Sequence, residues 1–245
     1  MPKRQLKSPA ASAAGITVLV PKVTPKRFFG HGLPGVKLDE LRGKLIVVEG
    51  ADGSGRSTQI ARLAAHLQQS GREVVATREP GGTEIGESIR HLLQHAKEGA
   101  AMTPEAELLL FAASRAQIVR EKIRPLLEAG VFVILDRFLD STTVYQGHAR
   151  GLPLDAVNAI NRFAIGGTLP QLTLLLDLDV QAAWQRIHAT GRELDRMESQ
   201  PPEFFEKVRQ GYLSLAKAEP ERFRVVDASQ SPEMVHEHIW SLLSA

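Results

Sequence analysis

Residues 44–58 read KLIVVEGADGSGRST, a short β-branched run that breaks into a glycine-rich turn and resumes as a helical pattern. No other stretch restricts the fold as strongly. Residues 45–48 suit a strand buried on both faces, because a parallel strand takes a continuous apolar run rather than an alternating one. Ile60, Leu63, Ala64 and Leu67 follow at helical spacing. Between strand and helix stands Gly50-x-x-x-x-Gly55-Arg56-Ser57. Glycines permit positive φ and gather backbone N–H groups into a concavity for an anion, while the next helix turns its positive end toward the same point. Gly50, Ala51, Asp52, Gly53, Ser54, Gly55, Arg56, Ser57 and Thr58 are therefore read as a phosphate-binding loop, with the Ser57 hydroxyl offered to Mg²⁺. Loops of this type carry Lys before the Ser or Thr. Here the position is Arg56, which keeps the charge but replaces a point with a larger planar fork.

At 245 residues, 43% hydrophobic and 24% charged, the chain has material for one sizeable core. Cysteine is absent, which excludes disulfides, thiolate metal sites and a cysteine nucleophile. No apolar run reaches the length of a membrane helix. Eight of the 30 Lys and Arg lie in residues 1–43, where Asp39 and Glu40 are the only acids, so the formal charge of +2 conceals a basic leader on a net acidic body. Residues 1–40, rich in Ala, Pro and Ser, read as a flexible basic extension, and residues 41–245 as one domain. Gly30-x-Gly32-x-x-Gly35 matches a dinucleotide-binding pattern in its letters, but no strand precedes it and Pro34 breaks the helix that should follow, so it reads as a loop. No nucleic-acid motif accompanies the basic leader.

Residues 73–76 form a second expected strand, followed by TREPGGT at 77–83. Open α/β sheets bind ligands at the carboxyl ends of their strands, which makes Arg78 a candidate anion contact. Thr103-Pro104-Glu105 is a helix start, with a capping hydroxyl, proline in the first turn and an acid at the positive end. The helical pattern runs to about Glu128, with a break or kink expected at Pro125. Phe111 and Arg115, four apart, share a face fit to stack a flat base and bond its edge. VFVILDR at 131–137 is a strand ending in Asp136, whose carboxylate would emerge beside the metal site of a phosphate loop, with Arg137 at the same edge. Residues 171–177 and 223–226 add two strands. Five strands alternating with helices indicate a three-layer α/β domain with a parallel sheet. Between the last two, RIHATGRELDR at 186–196 sets arginines on both sides of a glycine, as expected of a lid, over about 186–200, that closes cations on a phosphate.

Taken together, these stretches resemble the thymidylate kinase family of P-loop nucleoside monophosphate kinases over about residues 44–240. The residues carrying the resemblance are the phosphate loop, TREPGGT at 77–83, LFAASR at 110–115, Asp136-Arg137-Phe138 with Asp140-Ser141 and Tyr145-Gln146-Gly147, and Glu193-Leu194-Asp195-Arg196. The resemblance implies a P-loop NTPase-type fold with a five-stranded parallel sheet, a lid, and phosphorylation of dTMP to dTDP by ATP with Mg²⁺. It further implies a homodimer, a cytoplasmic location, and neither a membrane nor a specific nucleic acid as partner. By the same resemblance Phe111 stacks on thymine, Arg115 bonds the base edge, and Arg78 and Arg137 hold the dTMP phosphate. Asp52 lies near the 3′-hydroxyl and the transferred group, Tyr145 packs against the sugar, and Gln146 approaches the nucleotide. Arg192 and Arg196 supply the clamping cations of the lid; with Arg56 and Arg137 they form the implied catalytic set, and Ser57 and Asp136 the metal set. Arg56 and the leader fall outside the resemblance. Two rival readings stay open at this point, a nucleotide-binding protein with little or no kinase activity because of Arg56, and a kinase for another nucleoside monophosphate.

Overall fold

A strand with no polar position has no face to give to water, and residues 45–48 accordingly lie at the centre of the sheet. The computed structural model describes residues 44–96, 99, 101–191 and 193–244. The extension expected at 1–40, the glycine pattern at 30–35 and Arg192 lie outside the described residues. The strands are β1 (Leu45–Glu49), β2 (Val74–Arg78), β3 (Phe132–Asp136), β4 (Leu172–Asp177) and β5 (Phe223–Asp227). All pair in parallel, in the order β2-β3-β1-β4-β5. The helices are α1 (Arg56–Gln69), α2 (Glu84–Gln94), α3 (Pro104–Ile118), α4 (Arg124–Glu128), α5 (Leu139–Thr142), α6 (Leu154–Ile165), α7 (Val180–His188), α8 (Pro202–Ala218) and α9 (Pro232–Ser244), with π-helical turns at Val119–Ile123 and Thr143–Ala149. This is the five-stranded parallel α/β sheet that the sequence pattern requires.

Successive residues of a strand face opposite ways, and β1 uses both sides. Ile46 and Val48 pack with Ile60, Leu63 and Leu67 of α1 and Ile239 of α9. Leu45 and Val47 pack on the other face with Ile118, Val119, Ile123 and Leu127 from the long helical run and Ile165 of α6. A third cluster joins Leu175 of β4 to Val208 and Tyr212 of α8. Because β3 and β4 flank β1, the segments leaving the carboxyl ends of β1, β2 and β3 open on one edge of the sheet. The site is built there.

Two helices start as their sequences require. Thr103 Oγ1 accepts from the Ala106 N–H at 3.3 Å, with Pro104 as the first helical residue, and Thr83 Oγ1 accepts from the Gly86 N–H at 2.9 Å. The run from Pro104 reaches Glu128 unbroken, and of the break or kink expected at Pro125 it shows a local distortion. The widened turn ahead of the proline, where the Arg124 N–H bonds the Val119 carbonyl, absorbs the mismatch instead. The first residues of the stretch expected as a lid are helical. Residues 186–188 close α7, and Arg186 bonds the Ala228 carbonyl at 3.0 Å.

Candidate active site

The loop after β1 is moulded against its neighbours. A Cβ on Gly50, at φ 144°, would stand 2.6 Å from the Leu176 carbonyl of β4, and one on Gly53, at φ 81°, 2.6 Å from the Ala183 carbonyl of α7. Only glycine fits either place. Gly55 caps α1 in the left-handed conformation and turns the helix's positive end into the loop. Ser54 Oγ, buried in this loop, has no hydrogen-bond partner among the described residues. A buried hydroxyl without a partner is costly unless a ligand completes it.

Arg56 folds back into the loop. Its Nη1 donates to the carbonyls of Gly50 and Ala51 at 2.6 and 2.7 Å, its Nη2 to Asp52 Oδ1 at 3.1 Å, and its Nε to Asp136 Oδ1 at 2.7 Å. The fork that distinguishes arginine from lysine is what makes four bonds possible. Asp52 also accepts from Nη2 of Arg137 at 2.9 Å. Burial alone would raise the Asp52 carboxyl, but Arg137 and Arg56 outweigh it and hold the group well below the usual carboxylate range.

Arg137 follows β3 with φ at 67°, an unfavourable region for a residue with a Cβ. Four bonds hold it there, to Asp52, to Ser141 Oγ at 3.1 Å, and to the hydroxyls of Tyr145 and Tyr212 at 3.1 and 3.2 Å. Its guanidinium also lies 5.0 Å from the Tyr145 ring centre. Buried Glu49 supports this network, accepting from Tyr212 at 2.8 Å, from Ser141 Oγ at 2.7 Å and from the Phe138 N–H at 2.8 Å. Burial raises the Glu49 carboxyl, and pushes the Tyr145 hydroxyl up to about 12 against the pull of Arg137.

A cleft opens beside these groups. Its wall joins Phe111, Gln146, Tyr145 and Glu79 to Arg78, Arg90, Arg137, Arg56 and Asp52. It runs into a second hollow formed by Gly53, Gly55, Ser57 and Thr58, and the two share Asp52, Arg56, Arg78, Arg90 and Asp136. Most of the residues singled out from the sequence thus meet in one continuous space. Gly50, Ala51 and Ser54 are buried within the loop itself.

Two expected residues stand elsewhere. Arg115 is 1% exposed and bonds Glu79, Asn161, Thr142 and the Phe138 carbonyl, at 2.8, 2.8, 2.9 and 3.2 Å. Arg196 pairs with buried Glu107 at 2.6 Å and bonds the Leu93 carbonyl at 2.8 Å. Neither lines the cleft or the hollow.

Ser57 and Asp136 both border the hollow, and a hydroxyl with a carboxylate is the hard-oxygen set that Mg²⁺ accepts. Asp136 Oδ2 takes no hydrogen bond among the described residues, so one oxygen stays available although Arg56 holds the other. The residues present fit this ion.

The thymidylate kinase family model matches residues 48–239 of the chain. The chain belongs to the thymidylate kinase family. Similar proteins include the thymidylate kinase of Pelotomaculum thermopropionicum, 46% identical over 196 residues that cover 80% of this chain and 90% of that protein. That of Desulfosudis oleivorans is 50% identical over 189 residues, covering 75% and 88%. The crystal structure of thymidylate kinase from Ehrlichia chaffeensis matches with a TM-score of 0.66 at 33% identity, over 82% of this chain and 98% of that one. Among the described residues no helix is long and apolar enough to cross a membrane.

Within this thymidylate kinase family member, sequence reasoning overlooked four groups. Arg90 of α2 lines both spaces and bonds the Pro80 carbonyl at 3.0 Å; its only sequence mark is a helical position one turn past Glu87. Glu49 and Tyr212 brace Arg137 from a strand end and a helix middle 163 residues apart. Glu79 sits in the TREPGGT stretch; burial, partly offset by Arg115, raises its carboxyl to about 7, and its Oε1 is buried without a partner among the described residues.

Proposed function

We propose that the chain transfers the γ-phosphoryl group of ATP to dTMP, yielding dTDP and ADP. The observation that best supports this is the continuous wall from Phe111 and Gln146, past Arg78 and Arg137, to Arg56 and the glycine loop. An aromatic base, a phosphate monoester and a polyphosphate find their partners along it in that order, and similar proteins bear the name thymidylate kinase.

The acceptor needs no general base. A phosphate monoester has a second pKa near 6 and is mostly dianionic at neutral pH. What opposes transfer is the meeting of anions, so positioning and charge neutralisation do the catalytic work. Arg78 and Arg137 hold the acceptor phosphate, and Arg137, braced by Tyr145, Tyr212 and Ser141, keeps its fork in one orientation. Asp52 lies beside the 3′-hydroxyl. The glycine loop and Arg56, standing where such loops carry lysine, hold the donor phosphates. Ser57 and Asp136 hold Mg²⁺, which neutralises phosphate charge when bound. Arg192 completes the cationic set from the lid, Arg196, paired with Glu107, anchors that segment, and Arg115 serves the base edge through the residues it braces. The proposal includes a homodimer and a cytoplasmic site of action.

The test is coupled ADP release with ATP, Mg²⁺ and each nucleoside monophosphate in turn. Strong preference for dTMP is expected. Measurable ATP binding with no turnover on any acceptor would sink the proposal.

A further inference from the structure

Glu107 is one turn into α3 and 1% exposed, and its carboxylate gathers three side chains from two distant segments. Oε1 accepts from Gln146 Nε2 at 2.7 Å and from Arg150 Nε at 3.3 Å. Oε2 accepts from Arg196 at 2.6 Å and from Arg150 Nη2 at 3.4 Å. Arg150 lies 4.9 Å over the Phe204 ring, and Arg196 bonds the Leu93 carbonyl at 2.8 Å, so both cations are fixed from behind.

A carboxylate between two guanidiniums only accepts hydrogen bonds, so it dictates which end of the Gln146 amide faces it. The NH₂ group turns to Glu107. The amide oxygen, which takes no bond among the described residues, is left for the cleft that Gln146 lines. An acceptor there suits a pyrimidine with an N–H at position 3 and opposes one with a bare nitrogen. On the other oxygen, Arg196 fixes the segment that carries Asp195 and Met197, and both residues stand on the same cleft wall.

We propose that Glu107 is a positioning residue for acceptor selection, orienting the Gln146 amide through one oxygen and fastening the 193–200 segment through the other. This rests on the acceptor reading given above. Pyrimidine choice and placement of the lid segment are then set by one buried carboxylate that touches no substrate.

The experiment measures Kd for dUMP and dCMP, which differ on the Watson–Crick edge and not in the methyl group, together with amide hydrogen exchange of residues 193–200 with and without dTMP. Wild type should favour dUMP by about 10- to 100-fold, and dTMP should slow exchange in the segment. In Glu107→Gln the new amide can donate to Gln146 and turn it round, so the preference falls about tenfold and the protection disappears. Should that variant not fold, Glu107→Asp keeps the charge the arginines need, draws the carboxylate back by one methylene, and must show the same two losses. An unchanged ratio, or unchanged protection, in a folded variant overturns the inference. Wild-type protein that binds none of the three nucleotides removes the acceptor reading and this inference together.

Discussion

Nε of Arg56 donates to Oδ1 of Asp136 at 2.7 Å, so the basic residue of the phosphate loop and the carboxylate proposed for Mg²⁺ are partners of each other. Lysine could not copy this. A single ammonium lacks the fork that reaches two carbonyls and two carboxylates at once. Arg56→Lys should therefore free Asp136 and lower the Mg²⁺ concentration needed for half-maximal ADP binding, by about threefold or more if one charge-assisted bond is lost. Titration of Mg²⁺ against fluorescent ADP reads this directly, and an unchanged midpoint would show that Arg56 yields Asp136 without resistance.

Arg137 combines a functional guanidinium with a backbone at φ 67°. Replacement by Ala or Gly should each reduce dTMP phosphorylation about 100- to 1,000-fold with ATP binding retained. The two variants should differ in stability. Glycine relaxes in the left-handed region and alanine does not, so Arg137→Gly should be the more stable by about 1 kcal/mol. Equal denaturation midpoints would mean that the network of hydroxyls, and not the φ angle, sets the local energy.

Phe111 is part of the cleft wall and half-buried at the face of α3. A ring stacked on a base contributes about 1–3 kcal/mol. Phe111→Ala should raise Kd for dTMP by about 10- to 100-fold and leave Kd for ATP as it was. Calorimetry with each nucleotide separates the two, and equal losses for both would place the ring outside the acceptor site.

Glu79 gives a pH dependence of definite sign. Its folded pKa of about 7 stands above the ordinary value of 4.5 because burial outweighs the attraction of Arg115. Between these values the folded chain binds more protons than the unfolded one, so stability present below pH 4.5 is lost as the pH rises through 7. The loss amounts to about 1–3 kcal/mol. Glu79→Gln should flatten this fall between pH 5 and 8 in thermal unfolding. A parallel pair of Tm profiles would contradict the assignment.

The sheet was legible because its evidence is local. A strand buried on both faces must be apolar throughout, and the glycine turn followed by a helical pattern admits few alternatives. Asp136 and Arg137 were legible for the same reason, since the end of a strand fixes where its next residues emerge. Glu107 and Arg196 were not. Glu107 reads as one of two acids in a first helical turn, and its burial arises only when Gln146, Arg150 and Arg196 arrive from 39, 43 and 89 positions away. Arg196 closes an arginine-bearing stretch around Gly191 that gives no preference between a phosphate and a buried carboxylate. The π-helical turn before Pro125 escaped notice because the apolar spacing on either side remains helical.

The tight seating of Gly50 against β4 and of Gly53 against α7 has a consequence for motion. A loop that admits no extra carbon at either of these two points has no room to shift its backbone there, so it acts as a rigid die into which phosphates are pressed. Whatever separates the empty from the occupied loop must then be carried by side-chain torsions, above all the arm of Arg56. Loading of the donor becomes a matter of rotamer exchange, decided by one flexible side chain rather than by a rearrangement of the fold.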